Sequence, residues 1–167
     1  MAKIKDMRSE QEIQHRWTLK DWELNKKQII ALSFFMPLLV MIGCCIAFGI
    51  QPFGDNSLLI IDGLHQYMPF YSVLYDKLKG GDSLFYSFRS GLGINFLSLF
   101  SYYLSSPLNL LILLFKKTQL NMAVSMIIVL KIALSGMTAG IYFTAKSKKP
   151  GLPVLMVSMA YALSGYM

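Results

Sequence analysis

The chain has 167 residues, of which 54% are hydrophobic and only 15% are charged. A soluble domain carries about 25% charged residues, and a chain of this length still exposes roughly a third of its unfolded surface after folding. So much apolar surface excludes an ordinary soluble enzyme, and the same apolar fraction excludes a disordered chain. The composition therefore predicts an integral membrane protein.

The positive charge lies beside the apolar segments. The formal net charge is +7, and the head at residues 1–28 holds seven basic and five acidic residues. A second basic cluster, Lys146, Lys148 and Lys149, follows a long apolar run. Basic residues flank membrane spans on the cytoplasmic side. We therefore expect a cytoplasmic N-terminus, and this distribution disfavours a nucleic-acid partner.

The first long uncharged stretch is Ile29 to Ile50. At about 1.5 Å per residue it reaches roughly 33 Å, enough for a bilayer core of about 30 Å. A cleaved signal peptide has a shorter apolar core, of about 7–15 residues, so we interpret this stretch as an uncleaved span. The adjacent Cys44 and Cys45 have no metal-ligand spacing. No metal and no cofactor are predicted.

Residues 51–118 have the most unusual composition, with four acids, many aromatic residues and several turn signals. Pro69 suits the first turn of a helix that runs to Lys79, with Gly80 as its left-handed stop. One face of this helix carries the apolar side chains of Phe70, Val73, Leu74 and Leu78. A single apolar stripe is typical of a helix that lies on the membrane surface.

Residues 95–115 are uncharged, so hydropathy alone predicts a span. Against that, Ser105, Ser106 and Pro107 interrupt the middle, and Tyr102 and Tyr103 are residues typical of the membrane interface. Two interfacial pieces, a re-entrant pair and one crossing therefore all remain open.

A second span is predicted at residues 119–143, with Lys131 near its centre, and a shorter apolar run follows. If residues 95–115 do not cross, the basic cluster after this span lies inside with the head, which we prefer. Lys116 and Lys117 argue for the other topology. The predicted segments are a cytoplasmic head 1–28, a span 29–50, an extracellular loop 51–118 with interfacial helices, a span 119–143, a cytoplasmic loop 144–151 and the start of a third span 152–167.

Asp62, His65 and Gln66 share one face if the backbone there is helical. Asp55 lies seven residues earlier and joins that face only if the helix extends so far. An acid beside an imidazole and an amide in an apolar segment is a candidate general base. The alternative is that Asp62 caps or solvates an interfacial helix.

Two cations are candidate anion-binding groups. Lys131 in the middle of a span costs about 2.5–3.5 kcal/mol, so it must face protein, water or an anion. It either holds a phosphate, or it snorkels or pairs with an acid. Arg89 lies among glycines and aromatic residues, and it grips either a substrate phosphate or lipid head groups. The pattern Gly136-Met-Thr-Ala-Gly140 indicates close helix packing.

Several short motifs, in this order and spacing, resemble the YfhO family of bacterial membrane proteins. The similarity runs from about residue 29 to the end of the chain. The residues that carry it are Pro52-Phe-Gly54-Asp55-Asn56, Asp62, Gln66-Tyr67-Met-Pro69-Phe70, Tyr86-Ser87, Gly91-Leu-Gly93-Ile-Asn95-Phe96, Tyr103-Leu-Ser-Ser-Pro107-Leu-Asn109 and Lys131.

The resemblance implies an all-α polytopic membrane glycosyltransferase of the GT-C type, whose large first extracellular loop carries a catalytic acid. Such enzymes take a sugar from a polyprenyl-phosphate carrier, and YfhO-like members are associated with glycosylation of lipoteichoic acid. By position, Asp62 becomes the catalytic base, with Asp55 as the alternative. Lys131 and Arg89 become phosphate contacts, with His65, Gln66 and Tyr67 in the substrate site.

The partners implied are membrane lipids, a polyprenyl-phosphate sugar and a teichoic-acid-type acceptor in the bacterial cell membrane. Family members have many more helices, so we expect this chain alone to be inactive. Two other classes of function stay open on the sequence. One is a transporter or flippase for a lipid-linked substrate, and the other is a non-enzymatic membrane scaffold.

Overall fold

The computed structural model describes residues 24–89, 92–148 and 150–164. Most of the predicted head, together with Gly91 and Lys149, lies outside these ranges. The described chain is mostly helical, with α1 Lys26–Ala47, α2 Met68–Gly80, α3 Phe96–Leu99, α4 Leu120–Lys146 and α5 Leu152–Ala162. Two π-helical segments, Gly63–Tyr67 and Phe100–Leu104, and two 3₁₀ helices, Pro107–Leu114 and Lys117–Gln119, complete the helical structure. The two strands form one antiparallel hairpin of two residues each, β1 Tyr86–Ser87 and β2 Ile94–Asn95.

Two helical stretches of the described residues, Lys26–Ala47 and Lys117–Lys146, are long and apolar enough to cross a membrane. A third candidate span arises only if Phe96–Leu104 and Pro107–Leu114 count as one. The first stretch begins earlier than the predicted residue 29, where the Asn25 amide donates to Gln28 Oε1 at 2.9 Å, and it ends at Ala47 and not at residue 50. With the apolar composition, these helices define a membrane protein.

Helices α1, α4 and α5 pack through small residues, as the Gly136–Gly140 pattern predicts. A Cβ on Gly140 would lie 2.6 Å from Ser33 Oγ, and one on Gly136 would overlap the Ser33 carbonyl oxygen. Pro37 has no backbone N–H to donate to that carbonyl one turn earlier in α1. The freed oxygen therefore faces the bare Cα of Gly136, and the packing prediction is confirmed.

Helix α2 packs against protein on its buried face. Its Pro69 occupies the first turn, as predicted, but the left-handed stop is Gly81 (φ +70°) and not Gly80. The prediction was wrong by one residue, because Gly80 keeps helical geometry and its neighbour takes the turn. The buried residues of α2 are Tyr71, Val73, Leu74 and Lys77. The apolar ones pack in one cluster with Phe96, Leu104, Ile112, Leu120 and Val124.

The chain bends by 99° between Phe96–Leu104 and Pro107–Leu114, at the break that Ser105, Ser106 and Pro107 predict. Both ends of this bent pair meet α2. The Lys77 ammonium lies 5.4 Å from the centre of the Phe96 ring, and the Tyr75 hydroxyl donates to the Phe115 carbonyl at 3.0 Å. Both ends of the pair therefore contact the same stretch of α2, although Tyr75 and Lys77 leave that helix in different directions.

Candidate functional site

A cavity of about 660 Å³ lies where α1, α4 and the end of α5 meet the segments around residues 59–71 and Tyr103. We call it the Lys131 cavity. Its walls are mostly aliphatic and aromatic, and the ammonium of Lys131 is their one charged group among the described residues. The lining residues are Met41, Leu59, Gly63, Tyr67, Tyr71, Tyr103, Val124, Ile128, Lys131, Ile132, Ala162, Leu163 and Ser164.

Asn109 fixes the direction of the Lys131 side chain. Lys131 Nζ donates to Asn109 Oδ1 at 2.9 Å, and the Tyr71 hydroxyl donates to the same oxygen at 3.1 Å. Asn109 Nδ2 in turn donates to the Leu104 carbonyl at 3.1 Å, and Asn109 is almost fully buried. Burial raises the pKa of Tyr71, so its hydroxyl stays protonated and able to donate.

Lys131 has no carboxylate partner within the described ranges, where both ion pairs involve Asp76. An ammonium carries three donors, and Asn109 takes one of them. The remaining donors belong to a half-buried group on an otherwise apolar cavity wall. Such an arrangement can bind an anion, because a charge in low-dielectric surroundings attracts its counter-charge strongly.

The aromatic wall brings two of the predicted residues, Gln66 and Tyr67, to Tyr103. Gln66 Nε2 donates to the Tyr103 hydroxyl at 3.2 Å, and the Tyr67 and Tyr103 rings meet edge to face at 5.1 Å. Gly63 and Tyr67 come from one π-helical segment and Tyr103 from the other. Segments of this kind occur often at functional sites, since they turn side chains away from helical spacing.

Asp62 adjoins the cavity through its neighbour in sequence, since Gly63 is a lining residue. The side chain of Asp62 is exposed. Directly before it, Ile61 adopts φ +46°, a left-handed conformation that is a genuine outlier for a β-branched residue. Backbone outliers of this kind concentrate at functional sites, where the surrounding structure holds them in place. The backbone outlier thus lies directly before Asp62, whose own backbone is helical.

The other predicted acid and the histidine lie apart from the cavity wall. Asp55 is exposed in the turn that joins Gln51 to Asn56, before the helical segment begins, so it does not share a helix face with Asp62. His65 is exposed and is not a lining residue of the cavity.

Arg89 lies in a separate cluster with Asp76 and Lys117. Asp76 Oδ2 accepts from Arg89 Nη1 and, at 2.6 Å, from Lys117 Nζ. The hydrogen bond from Lys117, with the charges of Lys117 and Arg89, holds the pKa of Asp76 below its ordinary value. Arg89 does not line the Lys131 cavity. The structure thus divides the predicted phosphate contacts between two places.

Reasoning from the sequence did not assign a role to Asn109, Tyr71 or Tyr103 in this site. Asn109 had a usable signal, since it is a lone amide in the apolar run Leu108–Leu114. A polar side chain in such a run needs a partner when it is buried. The identity of that partner, 22 residues away on another helix, follows only from the fold.

The fold defines the class of the protein as a helical membrane protein with a cationic, aromatic-walled cavity. The match to a known family is more specific. Residues 33–167 match the family model of the bacterial membrane protein YfhO, and the chain belongs to that family. No curated protein and no solved structure matches the chain.

Proposed function

We propose that this protein is a GT-C-type membrane glycosyltransferase, which transfers a sugar from a polyprenyl-phosphate carrier to an acceptor such as lipoteichoic acid. The carrying observation is that the Lys131 ammonium faces an aromatic-walled cavity with Asn109 as its hydrogen-bond partner. The phosphate of an anionic lipid carrier can pair with the Lys131 ammonium, which has no carboxylate partner among the described residues, and the apolar chain of the carrier suits a cavity in the membrane.

The reaction takes place at the outer face of the bacterial cell membrane, in a multi-pass protein with a cytoplasmic N-terminus. In this orientation residues 51–118 lie outside, and the bent pair enters and leaves the membrane from that side. The 99° bend of the pair and the contact of both its ends with α2 support a re-entrant pair. The cavity is then open to a carrier in the outer leaflet.

The proposed chemistry is a single displacement with inversion. The acceptor oxygen attacks the anomeric carbon, the bond from that carbon to the phosphate oxygen breaks, and the electron pair stays on the phosphate. Asp62 takes the proton of the acceptor hydroxyl, which typically contributes about 10²–10⁴-fold to the rate. Lys131 stabilises the phosphate as its charge grows, and Tyr67 stacks against the sugar. Gln66, which is hydrogen-bonded to Tyr103 on the aromatic wall, then contacts the substrate hydroxyls, and His65 contacts the part of the acceptor that stays outside the cavity.

Arg89 has a subsidiary place in this proposal. Its side chain is 61% exposed, and it shares the Asp76 carboxylate with Lys117. The three side chains together therefore carry a net charge of +1. We assign it to the carrier phosphate during entry, before the phosphate reaches Lys131.

The test replaces Asp62 with Asn in the full-length protein, reconstituted in vesicles with polyprenyl-phosphate N-acetylglucosamine and an acceptor polymer. We expect transfer to fall by about 10²–10⁴-fold, as for removal of a general base. Asp55→Asn is the matched control, since Asp55 is an exposed acid outside the cavity. Unchanged transfer by Asp62→Asn removes Asp62 from the mechanism, and loss in Asp55→Asn alone moves the base to Asp55.

A second candidate is a transporter or flippase of lipid-linked substrates. The observation that favours it is the irregular backbone beside Lys131, where a 99° bend and two π-helical segments meet a charged residue on a candidate span. Transporters use broken helices of this kind near the membrane midplane. Flux of a labelled lipid-linked sugar across protein-containing vesicles, without any transfer, decides for this candidate. If the protein shows neither flux nor sugar transfer, the remaining class is a non-enzymatic membrane scaffold.

A further inference from the structure

The β1–β2 hairpin presents large apolar side chains to its surroundings. Phe85 is 71% exposed, Phe88 is 80% exposed and Leu92 is fully exposed. Single exposed apolar residues are common, but three on one short hairpin are a local concentration of exposed apolar surface, which is a feature of interaction sites. We call these three side chains the apolar finger.

The base of the apolar finger is held firmly. Lys77 is almost fully buried, and its ammonium donates to the carbonyls of Ser83 at 2.6 Å and Tyr86 at 2.8 Å. The Phe96 amide donates to the Phe85 carbonyl at 3.0 Å, and Phe96 is completely buried. Hydrogen bonds to buried residues therefore hold the segment that carries Phe85 and the first strand of the hairpin.

Two ion pairs connect the hairpin to the second candidate span. Arg89, between Phe88 and Leu92 in sequence, pairs with Asp76, and Asp76 also pairs with Lys117. Lys117 is the first residue of the second candidate span. The hairpin is thus two side-chain contacts away from the first residue of that candidate span.

The charges beside the finger suit a lipid surface. Arg89 and Lys117 share one carboxylate and are 61% and 52% exposed. Lys116 next to them is exposed as well. Exposed cations beside exposed aromatic residues are the pattern of segments that sit at the boundary between head groups and acyl chains.

We propose that the apolar finger inserts into the outer leaflet of the same bilayer, with Arg89 at the level of the lipid phosphates. The finger anchors the extracellular segment to the membrane beside the second span. This inference does not depend on glycosyl transfer, since it is argued from exposure, charge and the ion pairs, and only the choice of the outer leaflet rests on the proposed orientation.

The experiment places a spin label at Phe88→Cys and at Leu92→Cys in full-length protein that carries Cys44→Ala and Cys45→Ala. The matched control is Asp82→Cys, an exposed site close to the hairpin in sequence. In lipid vesicles we measure collisions of each label with oxygen, which concentrates in the acyl region, and with a water-soluble nickel chelate. The two finger labels are expected to show a several-fold higher ratio of oxygen to nickel collisions than the control.

Two results overturn the proposal. Nickel accessibility at both finger sites equal to that at the control places the finger in water. Low accessibility to both reagents shows that protein covers the finger in place of lipid. Two labelled positions guard against a local effect of either substitution.

Discussion

A single methyl group on Gly136 is expected to loosen the contact between α1 and α4. A Cβ there overlaps the Ser33 carbonyl oxygen and lies 3.0 Å from Pro37 Cγ and 3.2 Å from Ala162 Cβ. The carbonyl is backbone, so relief requires α1 to shift as a whole. Overpacking of this kind costs about 1–3 kcal/mol.

Gly43→Ala is the matched control for Gly136→Ala. Gly43 is also a glycine inside an apolar helix, but a Cβ at that position meets nothing within 4 Å. Both substitutions gain the same helix propensity, roughly 0.5–1 kcal/mol. The difference in free energy of unfolding between the two variants therefore isolates the overlap, and it should be about 1–3 kcal/mol.

A second pair of variants tests the geometry of the contact. A Cβ on Gly140 meets only the Ser33 side chain closely, with Oγ at 2.6 Å and Cβ at 2.7 Å. Ser33→Gly should therefore rescue Gly140→Ala, with a coupling energy of about 0.5–3 kcal/mol. The same substitution should not rescue Gly136→Ala, because the Ser33 carbonyl remains.

The assay is reversible unfolding in mixed detergent micelles, followed by helical circular dichroism. Equal stability of Gly136→Ala and Gly43→Ala would refute the proposed packing of α1 on α4. Rescue of both glycine variants by Ser33→Gly would show that the backbone oxygen is not the limiting contact.

Three further predictions concern charge and orientation. Lys131→Met should lower sugar transfer by about 10²–10³-fold, as for loss of one group that stabilises developing charge. The amount of membrane-inserted protein should not decrease, because a buried ammonium opposes insertion. Lys131→Arg is the charge-preserving control, and full activity of Lys131→Met contradicts the assignment. The lowered pKa of Asp76 means that its contribution is present above the ordinary carboxyl pKa of about 3.9 and is lost as pH falls through the lower folded value. The hairpin, monitored by the mobility of a spin label at Leu92, should thus stay fixed from about pH 5 to 8 and loosen only in stronger acid. Label mobility that does not change with pH, or that Asp76→Asn leaves unchanged, argues against the ion pairs as the anchor of the hairpin. Cysteine labelling of intact cells should reach Ser83→Cys from outside and should not reach Ser147→Cys, and the reverse result inverts the proposed orientation.

Local signals in the sequence predicted much of the fold. Hydropathy located both candidate spans, Pro69 located the start of a helix, and Ser105 to Pro107 located the bend, because each of these features is governed by neighbours in sequence. The error at Gly80 arose because two adjacent glycines can each take the left-handed turn. Sequence alone cannot choose between them.

The candidate site was predictable only in part. Lys131, Gln66 and Tyr67 stand out locally, as a charge in a span and as polar or aromatic residues in an apolar segment. The contact of Lys131 with Asn109 and that of Gln66 with Tyr103 join residues far apart in sequence. Such pairs depend on how the bent pair packs on α4. The grouping of Arg89 with Asp76 is of the same kind, and it separates two cations that sequence reasoning placed together.

The depth of Lys131 also has an electrical consequence. Moving one charge fully across an energised membrane costs or yields about 2.3 kcal/mol per 100 mV. In the proposed orientation, a phosphate that reaches Lys131 from outside travels partway into a field that is negative inside. Each negative charge then meets an opposing energy of about 1 kcal/mol at 100 mV, if the site lies halfway. A resting cell would thus hold its anionic carrier less tightly than a depolarised vesicle does.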